Sequence, residues 1–162
     1  MKWILRYLKG SQELSLFFGK GNSLQGYVYA DLGGDVDSSR STTGYVFTCG
    51  GTTISWISQL KKVLDLSTTE AEYIAITEAG KEMVWLEDFL EDMDRKREDA
   101  LLHSDSQSAI HLANNPVFHD RTKHIPLKYH FFRTLIQDGI LTLQKIIGTK
   151  NPIDMLTNPM VI

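Results

Sequence analysis

Four acids stand where a strand would end or a helix would begin: Asp31 closing GYVYAD, Glu72 in STTEAEYIA, Asp105 in LLHSDSQSAI and Asp154 in NPIDML. Gathered at one sheet edge, they would make an acid-lined site. On a helix opening near Ser67, steps of four and three from Glu72 reach Ile76, Ala79, Met83, Leu86 and Leu90, an apolar stripe that predicts a buried Glu72. The same walk from Glu70 meets Ile74, Thr77, Lys81, Val84 and Asp88, a wetter face, since two residues turn a helix by about 200°. An acid at the end of a core stripe is costly unless a cation or hydrogen bonds meet it. Each acid also has an ordinary explanation. Glu72 and Asp105 could serve as helix caps, and Asp154 falls in a first helical turn, where the dipole favours a carboxylate.

The elements that must position these acids are visible in the patterning. Residues 2 to 9 form a short amphipathic helix (Trp3, Ile4, Tyr7 and Leu8 on one side) that Gly10 stops. The glycine-bounded stretches ELSLFFG, LQGYVYAD, TGYVFTCGG and TTISWIS are rich in β-branched and aromatic residues at strand length, and Gly50-Gly51 predicts a hairpin turn. From Ser67 to about Met93 the apolar period becomes helical, with Ser67, Thr68 or Thr69 as cap and Glu70 three residues after Ser67. DMDRKREDA reads as a loop, LLHS as a strand and SQSAIHLANN as a helix ended by Asn115-Pro116. A helix from Pro126 to Gln137 with Gly139 as its stop, a strand ILTLQKII, and a last helix capped by Asn151 with Pro152 at its first position complete the order. Antiparallel strands, then alternating strands and helices, predict an α/β fold with a mixed sheet. Asp105 then lies at the carboxyl edge of the sheet, where open α/β folds place ligands.

With 162 residues and 42% hydrophobic content, one core is the expectation. A formal charge of -3 offers no global field for a polyanion, so nucleic acid would have to meet a local patch. The one cysteine, Cys49, allows no internal disulfide, which fits a reducing, intracellular setting, and no long apolar run suggests a signal peptide or membrane span. The basic cluster is Arg121, Lys123, His124, Lys128 and Arg133. His119, His124 and His130 match no structural zinc spacing, Cys49 has no obvious base to activate it, and Trp56 and Trp85 are expected in the core.

SRSTTGYVFTCGG, ISWISQLKK, LSTTEAEYIAITEAGKE, WLEDFLE, HSDSQSAIHLANNPVFHDRTKHI, YHFFR and NPIDMLT together resemble the ribonuclease H domain of copia-type retrotransposon Pol polyproteins, over nearly the whole chain. ILRYLKGS resembles the end of the preceding reverse-transcriptase region. The resemblance therefore implies a boundary: residues 1–20 as a remnant of the connection to that region, and 21–162 as the ribonuclease H-like domain. It implies a mixed five-stranded sheet flanked by helices and hydrolysis of the RNA strand of an RNA-DNA hybrid, with Mg2+ as the cofactor, two ions in the family, held by converging carboxylates. By motif, the resemblance assigns Glu72, Asp105 and Asp154 as catalytic metal ligands, with Asp31 as a further candidate. Arg40, Ser41, Gln107, Arg121, Lys123 and His124 are implied contacts to the hybrid, with the reverse-transcriptase region of the same polyprotein as a partner.

One departure from the family pattern concerns the chemistry directly. Relatives read GY-x-D-A-D-(W or Y)-A-G-D, and here GYVYADLGGD puts Tyr29 at the first ligand position. A phenol is neutral near pH 7 and supplies no charge. Asp31 is on the same side of the strand but about 6.5 Å further along, so only a two-residue slip would bring it in. Ile147 stands where some relatives carry a histidine, Leu32 replaces the usual aromatic, Pro126 follows His124 where an acid is common, and Asn158 replaces a usual lysine. The sequence thus predicts an impaired nuclease. The alternative is a non-catalytic relic that keeps the fold as a nucleic-acid or polyprotein interaction module.

Overall fold

A computed structural model describes residues 2–15, 17, 19, 21, 23–32, 40–61, 65–94, 100–115 and 131–153. In chain order the elements are α1 (Lys2–Gly10), β1 (Leu24–Asp31), β2 (Thr42–Cys49), β3 (Thr52–Leu60), α2 (Thr68–Asp92), β4 (Ala100–Ser104), α3 (Gln107–Asn114), α4 (Phe131–Gln137) and β5 (Leu141–Lys145), followed by a 3-10 turn at Gly148–Lys150. The five strands form one mixed sheet in the order β3-β2-β1-β4-β5. β1, β2 and β3 pair antiparallel, and β4 joins β1 and β5 in parallel. This is the architecture expected from the patterning.

The β2–β3 hairpin turns on Gly50 and Gly51, whose φ values of 58° and 80° are the left-handed backbone that glycine tolerates. β1 alternates strictly: Leu24, Gly26, Val28 and Ala30 are buried, whereas Gln25, Tyr27, Tyr29 and Asp31 on the other face are half-exposed. α2 packs on the buried face with the stripe read from the sequence, Ile76, Ala79, Met83 and Leu86, in one core with Val28, Phe47, Leu102 and Phe132. Its N-cap is Ser67, whose hydroxyl accepts from the Glu70 N–H at 3.1 Å. Glu70 in turn accepts from the Leu66 N–H at 2.8 Å and is buried, not on the wetter face expected, because capping turns its side chain back onto the chain entering the helix. Gly80 lets Phe132 of α4 lie against the helix, since a Cβ there would meet that ring at 2.3 Å.

Three other expectations need correction. Among the described residues of ELSLFFG there is no strand; they run past the hairpin, where the Thr52 hydroxyl donates to the Phe17 carbonyl. Trp56 and Trp85 are exposed: Trp85 lies off the core stripe of α2, and Trp56 is carried by β3, which adds no apolar residue to the buried core. Arg133 is buried: its Nε donates to the Leu112 carbonyl at 3.2 Å and its guanidinium lies 5.9 Å from the Tyr73 ring centre. It therefore braces α4 and does not belong to a solvent-facing basic surface. No described helix is long and apolar enough to cross a membrane.

Candidate active site

The parallel register of β1 and β4 runs from Gln25↔Leu101 to Val28↔Ser104. One residue beyond that last pair stand Tyr29 and Asp105. Tyr29 therefore occupies the β1 position beside the Asp105 strand end. The β1–β2 register is continuous from Leu24↔Cys49 to Asp31↔Thr42, and the β1–β4 register puts Tyr29, not Asp31, one residue beyond the last pair. Asp31 remains the last residue of its strand, on the same face as Tyr29.

Glu72 reaches this edge from α2. Its Oε1 accepts from the backbone N–H of Ala30, the residue after Tyr29, at 3.2 Å. The side chain is buried, and Oε2 has no hydrogen-bond partner. Loss of water pushes its carboxyl up to about 8. The Ala30 N–H opposes that rise, the charge of Asp105 adds to it, and Lys61 counters it. The mutual influence of Glu72 and Asp105 puts the two acids in one electrostatic site. Lys61 also donates to the Ala71 carbonyl and pairs with Asp65 at 3.0 Å, so its charge sits on the chain entering α2.

Asp105 is not the cap of α3. That role belongs to Ser106, whose hydroxyl accepts from the Ala109 N–H at 3.3 Å. A Cβ on Gly148 would stand 3.3 Å from Asp105 Oδ2, so the turn after β5 passes close beside that oxygen. Lys145 donates to the Asp105 carbonyl at 3.3 Å. The last segment is tied to the same edge by Asn151, whose amide donates to the Val28 carbonyl at 3.1 Å and accepts from the Ile153 N–H at 3.3 Å. Asn151 closes the 3-10 turn as its C-cap, and the last helix expected after it lies outside the described residues.

The remaining candidates divide. Asp154, Arg121, Lys123 and His124 lie outside the described residues. Arg40 and Gln107 are exposed, and Gln107 Nε2 lies 3.2 Å from His111 Nε2. Ser41 is fully buried, so its hydroxyl cannot meet a ligand at the surface, unlike Arg40 beside it. Among the described residues no three His, Cys, Asp or Glu side chains gather as a metal-holding group. The orphaned, buried Oε2 of Glu72 nonetheless suits a cation: it is a hard oxygen without a donor, beside a second carboxylate. Sequence reasoning missed Ala30, which acts through its backbone N–H and so leaves no residue-type signal, and the close passage of Gly148 beside Asp105.

No family model matches this sequence. It is 50% identical over 158 residues, 97% of this chain, to the retrovirus-related Pol polyprotein from transposon TNT 1-94 of Nicotiana tabacum, and 38% identical over 163 residues to that from transposon RE1 of Arabidopsis thaliana. The chain spans only 12% and 11% of the length of those relatives. Among solved structures the fold is similar to LC11-RNase H1 in complex with RNA/DNA hybrid, with a TM-score of 0.60 at 16% identity, covering 83% of this chain and 93% of that one. It is also similar to RNase H1 from Halobacterium salinarum, with a TM-score of 0.55 at 14% identity, covering 83% and 94%.

Proposed function

This chain is a ribonuclease H-like domain homologous to copia-type transposon Pol polyproteins, and we propose from that premise that it binds RNA-DNA hybrid and hydrolyses the RNA strand weakly, because Tyr29 stands where the first acid of the site belongs. What supports this is that the Glu72 carboxyl is held by the Ala30 N–H and feels the charge of Asp105, at the end of β1 where Tyr29 follows the last residue paired with β4.

Glu72 and Asp105 are the ligands this chain would offer to Mg2+, with Asp154 as a third from the last segment. When bound, such ions activate water and neutralise charge on the leaving oxygen. The chain's own part is positional. The Ala30 N–H fixes one oxygen of Glu72 and leaves the other without a hydrogen bond, while Ser106 beside Asp105 caps α3. Asp105 and Glu72 repel, which favours a proton on Glu72 until a cation arrives. Tyr29 adds a neutral ring where a negative oxygen would complete the set, so the site holds a divalent ion loosely and one ion more readily than two. Asp31, two residues further along an unslipped strand, does not replace it. Arg40 and Gln107 are the exposed groups best placed by the family pattern to touch the hybrid, and the reverse-transcriptase region of a longer polyprotein is the natural neighbour of α1.

Hybrid cleavage with magnesium tests the proposal. Tyr29→Asp should raise the rate by roughly two orders of magnitude or more, the usual worth of one well-placed electrostatic group. Equal rates in the unmodified chain and the variant would overturn the impairment. The neutral ring beside Asp105 also favours a second reading, a non-catalytic module that retains hybrid binding. Hybrid binding without cleavage in the unmodified chain, together with no gain in Tyr29→Asp, would select it.

A further inference from the structure

Three buried side-chain oxygens, Ser41 Oγ, Thr43 Oγ1 and Glu72 Oε2, have no hydrogen-bond partner among the described residues. The residues that carry them are 0%, 7% and 7% exposed, so bulk water does not satisfy them. A buried oxygen left unbonded costs free energy, and each such atom in a native chain calls for an explanation.

The contacts around these atoms bring them to one corner. Glu72 Oε1 accepts from the Ala30 N–H at 3.2 Å, and Ala30 is paired across the sheet with Thr43. Directly opposite residues share a face, so Thr43 lies with Ala30 on the side where α2 packs. Ser41, two residues before Thr43, falls on that same side of the chain. Its carbonyl accepts from the Lys61 N–H at 2.8 Å, and Lys61 Nζ donates to the carbonyl of Ala71, the neighbour of Glu72, at 3.1 Å. The contacts thus run in a ring from Glu72 through Ala30, Thr43, Ser41, Lys61 and Ala71 back to Glu72. Ala30 and Ala71 bring only methyl groups to it.

Whatever joins the three oxygens must donate to a carboxyl oxygen and also bond two hydroxyls. The Lys61 ammonium opposes a cation inside the ring, and Glu72 opposes an anion. A neutral water, which makes two to four such bonds when buried, satisfies all three. We propose that an internal water held by Ser41 and Thr43 donates to Glu72 Oε2, which makes these two hydroxyls positioning residues for the acid that would hold Mg2+. The water takes one lone pair of Oε2 and leaves the second for the cation. The link to metal holding rests on the nuclease reading above; the water itself does not.

The test compares the full-length chain with Thr43→Val, which removes the hydroxyl, and Thr43→Ser, which keeps it. Magnetisation transfer from water in NMR should reveal a long-lived water at the Ala30 and Thr43 amides, present in the unmodified chain and in Thr43→Ser and lost in Thr43→Val. Urea denaturation reads the sign. Replacing a hydroxyl that bonds nothing by a methyl would make the chain more stable, whereas breaking the bridge should raise the unfolding constant about fivefold, and Ser41→Ala should act in the same direction. Calorimetric titration with Mg2+ should show a dissociation constant about tenfold higher in Thr43→Val and within about twofold of the unmodified value in Thr43→Ser. An unmodified chain without the long-lived water, a Thr43→Val chain that is more stable, or a Mg2+ affinity that Thr43→Val leaves unchanged would each overturn the proposal. An unmodified chain that binds no Mg2+ would strike the nuclease reading and with it the positioning role, while the water and the sign of the stability change would still decide whether the bridge exists.

Discussion

The two ends of α2 break the ordinary rule of burial in opposite directions. At its start a carboxyl is buried with one oxygen lacking a hydrogen bond; at its finish two aromatic rings and a methionine face solvent. Between them Ile76, Ala79 and Met83 pack as a conventional helix face should. Local rules that fail at both ends of a helix and hold in its middle mark the two places where this helix does more than fill a core. The middle is the strut that keeps them apart.

The contrast can be sharpened first at Glu72. Its folded carboxyl titrates near 8 against 4.5 for the ordinary group. Between those values the folded chain keeps a proton that the unfolded chain releases. Stability in chelator should therefore be greatest below about pH 4.5, fall as pH rises towards 8, and level off above it, by on the order of 3–5 kcal/mol. Glu72→Gln keeps the acceptor for Ala30 and should flatten that slope in urea denaturation at each pH, while abolishing any magnesium-dependent cleavage. A slope that survives the substitution would assign it to another group.

Gly80→Ala attacks the strut. The new methyl would meet the Phe132 ring at 2.3 Å, and displacing a fully buried ring should cost about 1–3 kcal/mol in denaturant midpoint analysis. Ser67→Ala removes the cap at the acidic end and should cost about 1 kcal/mol. Trp85→Ala, at the other end, should change monomer stability by less than about 0.5 kcal/mol, because the ring is mostly in solvent. A large loss there would mean that Trp85 belongs to the core and would erase the contrast.

Much of this was legible before any coordinates. The period of three and four along α2 identified both the helix and the inward direction of Glu72, since a stripe needs only residue types at fixed spacing. The Gly50-Gly51 turn and the strand alternation of LQGYVYAD were legible for the same reason. The failures have a common cause. Glu70 was misplaced because a capping side chain folds back against its helical direction. Asp105 was open to a capping role because Ser106 offers the same chemistry one residue later. Trp56 and Trp85 were assigned inward from their type, although α2 fills its inner face with Ile76, Ala79, Met83 and Leu86 and β3 lies outside the buried core. Arg133 depends on Leu112 and Tyr73, brought to it by tertiary packing that no local pattern encodes.

The parallel seam between Val28 and Ser104 sets the order in which this molecule can mature. β1, β2 and β3 pair with their neighbours in sequence through short connections, so they can zip early. β4 can take its place only after the whole of α2 has been made and has found the sheet. Glu72 and Asp105 therefore come together late, and a nascent chain emerging as part of a longer product would carry a formed hairpin well before it could hold a metal ion.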